Sequence, residues 1–158
     1  GGHNHVLLDS SDIKLRPSQQ LVPVPARTID SYDFDDVDAI KIDVEGSELL
    51  VMQGAIGTIR KHRPSVQVEI VPKQCNLFGY EPQALYDFFD GLDYVCVSAV
   101  RRPANADQRG LWFGKDIGMQ HQQIKKYMDR LFVPREVHEA TDYGAMEQAN
   151  NNFGELFA

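Results

Sequence analysis

The run Lys41-Ile42-Asp43-Val44-Glu45-Gly46 sets a lysine and two carboxylates at alternate positions of an apolar, β-branched stretch. On a strand, that alternation puts Lys41, Asp43 and Glu45 on one face and Ile40, Ile42 and Val44 on the other. Charged side chains there cost free energy unless they are paired or stand at an exposed rim. Two roles suit them. Asp43 and Glu45, at the carboxyl end, can accept hydrogen bonds from a ligand amine or hydroxyl, or act as a general base. Alternatively, Lys41 forms a salt bridge and a carboxylate bonds the backbone amides that open the next helix. Glu69 is the parallel case, the one charged residue of Ser65-Val66-Gln67-Val68-Glu69-Ile70-Val71 and two positions from that strand's end. Carboxylates on neighbouring strands that face one crevice can share a substrate proton or a divalent ion. Metal-dependent hydrolysis by Asp43, Glu45 and Glu69 is therefore one option.

Other constellations carry less. Eight carboxylates and one lysine lie between Asp30 and Glu48. Asp33, Asp35, Asp36 and Asp38 invite a calcium-loop reading, but counted from Asp33 the sixth and twelfth places hold Asp38 and Val44, where an EF-hand needs Gly and Glu. A solvated acidic loop accounts for them. His3 and His5 have a chelating spacing without a third ligand near them. Cys75 has no CxxC partner, and no GxSxG elbow is present. Phe78, Tyr80, Trp112 and Phe113 suit a core or a crevice wall better than a base-stacking platform, since no basic groove accompanies them.

These residues need strands and helices to hold them. Val37 to Val44 reads as a buried parallel strand that stops at Glu45-Gly46. Leu49, Met52, Ile56 and Ile59 recur at helical spacing after Ser47, a cap candidate, and Arg60, Lys61, His62, Arg63 and Pro64 close that helix. Gly54 and Gly57 inside it suggest close packing on the sheet, or simple tolerance. Ser65 to Val71 is the next strand, 82 to 91 a helix with Ala84, Leu85, Phe88 and Phe89 on one face, and Tyr94 to Val100 a third strand. Gly110 to Phe113 begins a fourth, as an antiparallel pair with the third. The spacing of Ile124, Tyr127, Met128 and Leu131 predicts a helix over 118–131. Prolines demote Leu21 to Pro25 to a strand end or an edge strand. The order is that of a mostly parallel sheet covered by helices, where ligands bind beyond the carboxyl ends of the strands. Three segments result: an arm over 1–20, an α/β body over 21–115, and a helix with a polar tail over 116–158.

Composition narrows the function classes. The 158 residues include 16 Lys plus Arg and 23 Asp plus Glu, a formal charge of −7, with 42% hydrophobic and 25% charged residues. That is ordinary globular composition for one domain. The acidic balance, without a basic run longer than Arg101-Arg102, speaks against nucleic acid or anionic lipid as partner and for small molecules or proteins. No stretch reads as a membrane span or a signal peptide. Two cysteines, Cys75 and Cys96, are too few for a disulfide framework and read as free thiols of a reducing, cytoplasmic compartment.

Thr28-Ile29-Asp30-Ser31, then Val37 through Glu48, then Met52-Gln53-Gly54-Ala55, Arg63-Pro64 and Val68-Glu69, followed by Gly79-Tyr80, resembles the C-terminal half of FkbM-type S-adenosylmethionine-dependent methyltransferases. The family pattern runs TLD, IKIDVEGxE, LxGA and RPxxxxE, and the resemblance covers roughly 21–115. It implies the later part of a Rossmann-like class I fold, a mostly parallel sheet ending in an antiparallel hairpin. It implies methyl transfer from S-adenosylmethionine to a hydroxyl of a small molecule or sugar. By position it carries Asp43, Glu45 and Glu69 over as catalytic, Asp43 and Gly46 as cofactor-binding, and Lys41 and Tyr80 as substrate-binding, with no metal. The family's DxGAxxG-like loop has no counterpart, so the expected states are a truncated or split enzyme completed by a separate N-terminal half, or a non-catalytic assembly or binding module whose sheet a second chain, such as its own homo-oligomer, completes.

Overall fold

The first strand, β1 (Ala39–Ile42), is shorter than the apolar run around it and pairs in parallel with β2 (Ser65–Ile70), Ala39 opposite Ser65 and Ile42 opposite Val68. The computed structural model describes residues 17, 20, 22–100, 112–116 and 128–141. Leu21 and residues 118–127 of the helix expected over 118–131 fall outside them, and residues 22–28 carry no strand.

Between β1 and β2 the sequence predicts one helix. The chain forms two, α1 (Glu48–Gln53) and α2 (Ile56–His62). The break has a long-range cause. The Asp30 amide donates to the Gly54 carbonyl at 3.0 Å, and the Asp30 carboxylate accepts from the amides of Gly57 and Thr58 at 2.9 and 2.8 Å and from the Thr58 hydroxyl at 2.8 Å. Asp30, 27 residues upstream of Gly57, thus caps α2 from a distance. A Cβ on Gly57 would lie 3.0 Å from Asp30 Oδ2, so this glycine makes room for the 28–30 segment and not for the sheet.

After β2 come α3 (Pro72–Leu77), α4 (Gln83–Asp90) and β3 (Tyr94–Val100). β4 (Trp112–Asp116) pairs antiparallel with β3, as the hairpin expectation holds. Met128 to Leu131, expected to be helical, instead open β5 (Met128–Pro134), which leads into α5 (Arg135–Ala140). β5 enters between β2 and β3, antiparallel to both, and the sheet order is β1-β2-β5-β3-β4. The sheet is therefore mixed and not mostly parallel. β2 and β3 still run in the same direction, but the late strand separates them, and β1–β2 is the one parallel pair among the described strands.

Alternation along the strands gives the sheet two unlike faces. On one, Ile42, Val66, Val68, Ile70, Tyr94, Cys96 and Phe132 join Met52 from α1, Ala55 from the break, Ile59 from α2, Cys75 from α3, and Leu85, Tyr86 and Phe89 from α4. Phe89 stacks on Phe132 with centroids 4.1 Å apart, and Arg130 on the same face donates through Nε to the Tyr86 hydroxyl at 2.8 Å. The other face carries a small apolar cluster of Val95, Val97, Leu131 and Val133. By the same alternation it carries Lys41, Gln67, Glu69 and Asp129.

Candidate functional site

β1 ends in a turn with two consecutive residues at positive φ, Glu45 at 54° and Gly46 at 108°. Ser47 does not cap α1. Its hydroxyl donates back to the Val44 carbonyl at 3.0 Å. Glu48 instead braces the turn ahead of the helix: it is 1% exposed, and its Oε1 accepts from the amides of Gly46 at 2.9 Å and Val44 at 3.4 Å. The Tyr80 hydroxyl lies 2.9 Å from the Gly46 carbonyl and 3.0 Å from Glu48 Oε2. Burial, with Cys75 and Glu48 beside it, pushes that hydroxyl far above the ordinary tyrosine range. Burial likewise pushes the Cys75 thiol up. On the far side of the turn, the Gln74 side-chain amide donates to Glu45 Oε2. A Cβ on Gly46 would stand 2.7 Å from the Gln74 carbonyl oxygen and 2.8 Å from the Phe78 ring, so α3 closes on this turn at glycine distance.

Beside the turn, three strands bring carboxylates together. Lys41 Nζ meets Asp43 Oδ2 at 2.8 Å across an exposed salt bridge. The hydrogen bond from Lys41 holds Asp43 below the usual carboxylate range, a second bond from Glu69 adding to the effect, while the bond to Asp43 raises Lys41. Glu69 moves the opposite way. Burial raises it first, and the charges of Asp43, Asp129 and Glu45 raise it further. Asp129 stands directly opposite Glu69 in the antiparallel β2–β5 pair, so two acids face each other across the strands. The two carboxyls therefore shift in opposite directions, Asp43 downward and Glu69 upward.

Of the residues marked by sequence, the structure gathers Lys41, Asp43 and Glu69 at the carboxyl end of the parallel pair. Glu45 is drawn toward Gln74, although Glu69 still feels its charge. The Tyr80 hydroxyl is occupied by the turn that contains Gly46. Sequence reading missed Glu48, Gln74 and Asp129. Glu48 carries the usual signal of an acid at a helix start. Asp129 sat in a segment read as helix, and Gln74 carries no signal. Among the described residues, no group of three or more His, Cys, Asp or Glu is placed to hold a metal ion, and no helix is long and apolar enough to cross a membrane. Cys75 and Cys96 are buried and joined by no disulfide, Cys75 within α3.

Comparison with known proteins adds one match. The family model described as the methyltransferase FkbM domain matches residues 5–96, more than half of the chain, from ahead of β1 into β3. No curated protein and no solved structure matches.

Proposed function

Because the chain belongs to the FkbM methyltransferase family, we propose that its acidic lip serves methyl transfer from S-adenosylmethionine to a hydroxyl oxygen of a small molecule or sugar. The observation that carries this reading is the family match over residues 5–96, beside the gathering of Asp43, Glu69 and Asp129 where the parallel strands β1 and β2 end. Environments that push two acids apart, as those of Asp43 and Glu69 do, assign them different tasks. Open α/β sheets take ligands at that end of the strands. We read the described sheet accordingly as part of a Rossmann-like domain.

The donor set fits the cofactor in one respect. Asp43, Glu69, Asp129 and Glu45 make the lip negative, which suits a sulfonium cation, whereas the amides of Val44 and Gly46 are taken by Glu48. When bound, S-adenosylmethionine supplies the electrophilic methyl group. The chain's own part is to orient the acceptor oxygen, remove its proton and hold positive charge near anions. Glu69, more basic than an ordinary carboxylate, is suited to take the hydroxyl proton. Asp43, kept ionised by Lys41, stabilises the protonated Glu69 through their hydrogen bond and presents charge to the cofactor with Gly46 beside it. Lys41, half exposed at the rim, is placed to meet the acceptor, and Tyr80 acts on the acceptor pocket through the turn it holds. Two buried cysteines joined by no disulfide are in keeping with a cytoplasmic setting.

A second reading, an assembly or binding module completed by another chain, draws on β1 standing at the edge of the described sheet. Calorimetric titration with S-adenosylhomocysteine separates the two. It is run on residues 1–158, on the longest product of the reading frame, and on Asp43→Asn in each. The methyl-transfer reading expects binding that Asp43→Asn weakens. Absence of binding by every form, with a stable oligomer in sedimentation, refutes it in favour of the second.

A further inference from the structure

Successive backbone N–H groups at a turn with positive φ make a small cradle for an anion. In the turn after β1 that cradle is filled from within, since Glu48 Oε1 accepts from Gly46 and Val44 and its other oxygen lies 3.0 Å from the Tyr80 hydroxyl. A carboxylate that is 1% exposed needs such partners to remain buried. The Tyr80 hydroxyl has a single hydrogen and two acceptors in reach, the Gly46 carbonyl and Glu48, so either choice ties the loop after α3 to the turn. From the same loop region, Phe78 and the Gln74 carbonyl press on Gly46. The turn is thus fixed at its amides, at a carbonyl and at the one Cα without a side chain. Asp43 and Glu45 leave the backbone at this point.

We infer that Glu48 is a positioning residue for the acidic lip: its buried carboxylate, seated on the Val44 and Gly46 amides and tied to Tyr80, sets the directions in which Asp43 and Glu45 leave β1. The purpose served by that positioning rests on the methyl-transfer reading. The clamp itself stands on the hydrogen bonds. It also follows that this turn does not receive a ligand phosphate or carboxylate, because its amides are occupied.

The test uses Glu48→Ala, Glu48→Gln and Tyr80→Phe in the chain as it stands, with three readouts: hydrogen exchange at the Val44 and Gly46 amides, carbon-13 titration of the Asp43 and Glu69 carboxyls, and melting temperature. Glu48→Ala should speed exchange at Gly46 by roughly ten- to a hundredfold, the range for losing a hydrogen bond to a charged group. It should also move the Asp43 and Glu69 titrations toward each other. Glu48→Gln, whose amide oxygen can still accept from Gly46, should restore most of the protection, and Tyr80→Phe should fall between. If the melting temperature drops while both titrations stay at their wild-type positions, Glu48 is only structural and the inference fails. Should Glu48→Ala not fold, wild-type exchange and titrations in Tyr80→Phe, the variant expected to fall between, overturn it equally. Titrating the same proteins with S-adenosylhomocysteine keeps the two readings apart: a clamp that responds as expected in a protein that never binds the cofactor leaves the positioning intact and removes methyl transfer.

Discussion

Replacing Gly46 by Ala tests the closure of α3 on the β1 turn with a single methyl group. At φ 108° the backbone lies outside the regions that L-residues favour, and that costs about 1–2 kcal/mol. The added Cβ would also meet the Gln74 carbonyl oxygen at 2.7 Å and the Phe78 ring at 2.8 Å. One of these is backbone and cannot swing away, so a further ~1–3 kcal/mol of overpacking applies. Restricting the unfolded chain returns about 0.4–1 kcal/mol. The net loss should be about 2–4 kcal/mol. Gly79 is the internal control. It has a positive φ of 78°, yet a Cβ there would meet nothing within 4 Å. Gly79→Ala should therefore lose only the conformational part, about 1 kcal/mol. Urea unfolding followed by circular dichroism, with midpoints compared at a shared slope, measures both. Equal losses at the two glycines, or a smaller loss at Gly46, would refute the claim that α3 presses on this turn.

Three further outcomes follow from the same contacts. Asp30→Ala removes the three acceptor contacts that start α2 and should cost about 1–2 kcal/mol in thermal melts. Desolvation pushes the Asp30 carboxyl up, but its bonds to Thr58 and Gly57 outweigh that and hold it below 3.8, so the difference between wild type and Asp30→Ala should shrink as pH falls below that value; a difference constant in pH would contradict this. Glu136, held down to about 2 chiefly by its bond to Arg63, has a depressed folded-state value, so its contribution is present above 4.5 and lost as pH falls toward 2. Glu136→Gln should cost under about 1 kcal/mol at pH 7, given the exposure of the pair, and nothing at pH 2. Glu69 has the opposite sign: its raised value contributes stability below 4.5 that is lost as pH rises through the folded-state value. Glu69→Gln should leave the protein as stable as wild type or more so at pH 7, with any gain gone below pH 4, as melting temperature against pH would show; a marked loss at pH 7 would mean that the ionised carboxylate is needed by the fold.

The parts of the fold legible in the sequence were those with a local signal. The β-branched runs that became β1, β2 and β3 and the apolar stripe of α4 are of this kind. β5 was not legible, because a strand buried on both faces has no alternation to show. Its residues Arg130 and Phe132 face the helices while Leu131 and Val133 face the other side, and with Ile124, Tyr127 and Met128 ahead of them they mimic a helical stripe. The division of α1 from α2 depends on Asp30, whose partners Gly57 and Thr58 lie far along the chain. α3 has six residues and one buried side chain, too few to make a period. In the site, the pairing of Lys41 with Asp43 was readable from strand alternation, and so was Glu69 as a lip residue. Glu48 shows only the ordinary signal of an acid at a helix start, which does not tell that its carboxylate reaches back to the amides of the preceding turn while Ser47 bonds backward to Val44.

The two ends of the sheet differ in how they treat charge, and that difference bears on function. At the end where β2 and β3 begin, two arginines meet acids. Arg63 holds Glu136 through two bonds at 2.8 Å and lies over the Tyr94 ring, and Arg135 bonds Asp93 at 2.7 Å across the junction of β3 and β5. At the other end of the same strands, Glu69 faces Asp129, bonds Asp43 and feels Glu45, with Lys41 the cation that answers Asp43. Like charges directly opposed across a strand pair are destabilising, and this chain shows at its other end that it can pair them. The acids at the carboxyl ends therefore violate a rule that the fold otherwise obeys. Such local violations are expected where function is served at the expense of stability. On the methyl-transfer reading, a lip that concentrates negative charge beside a firmly held turn is the place for a positively charged cofactor, and that reading expects Glu69→Gln to keep the fold and lose activity.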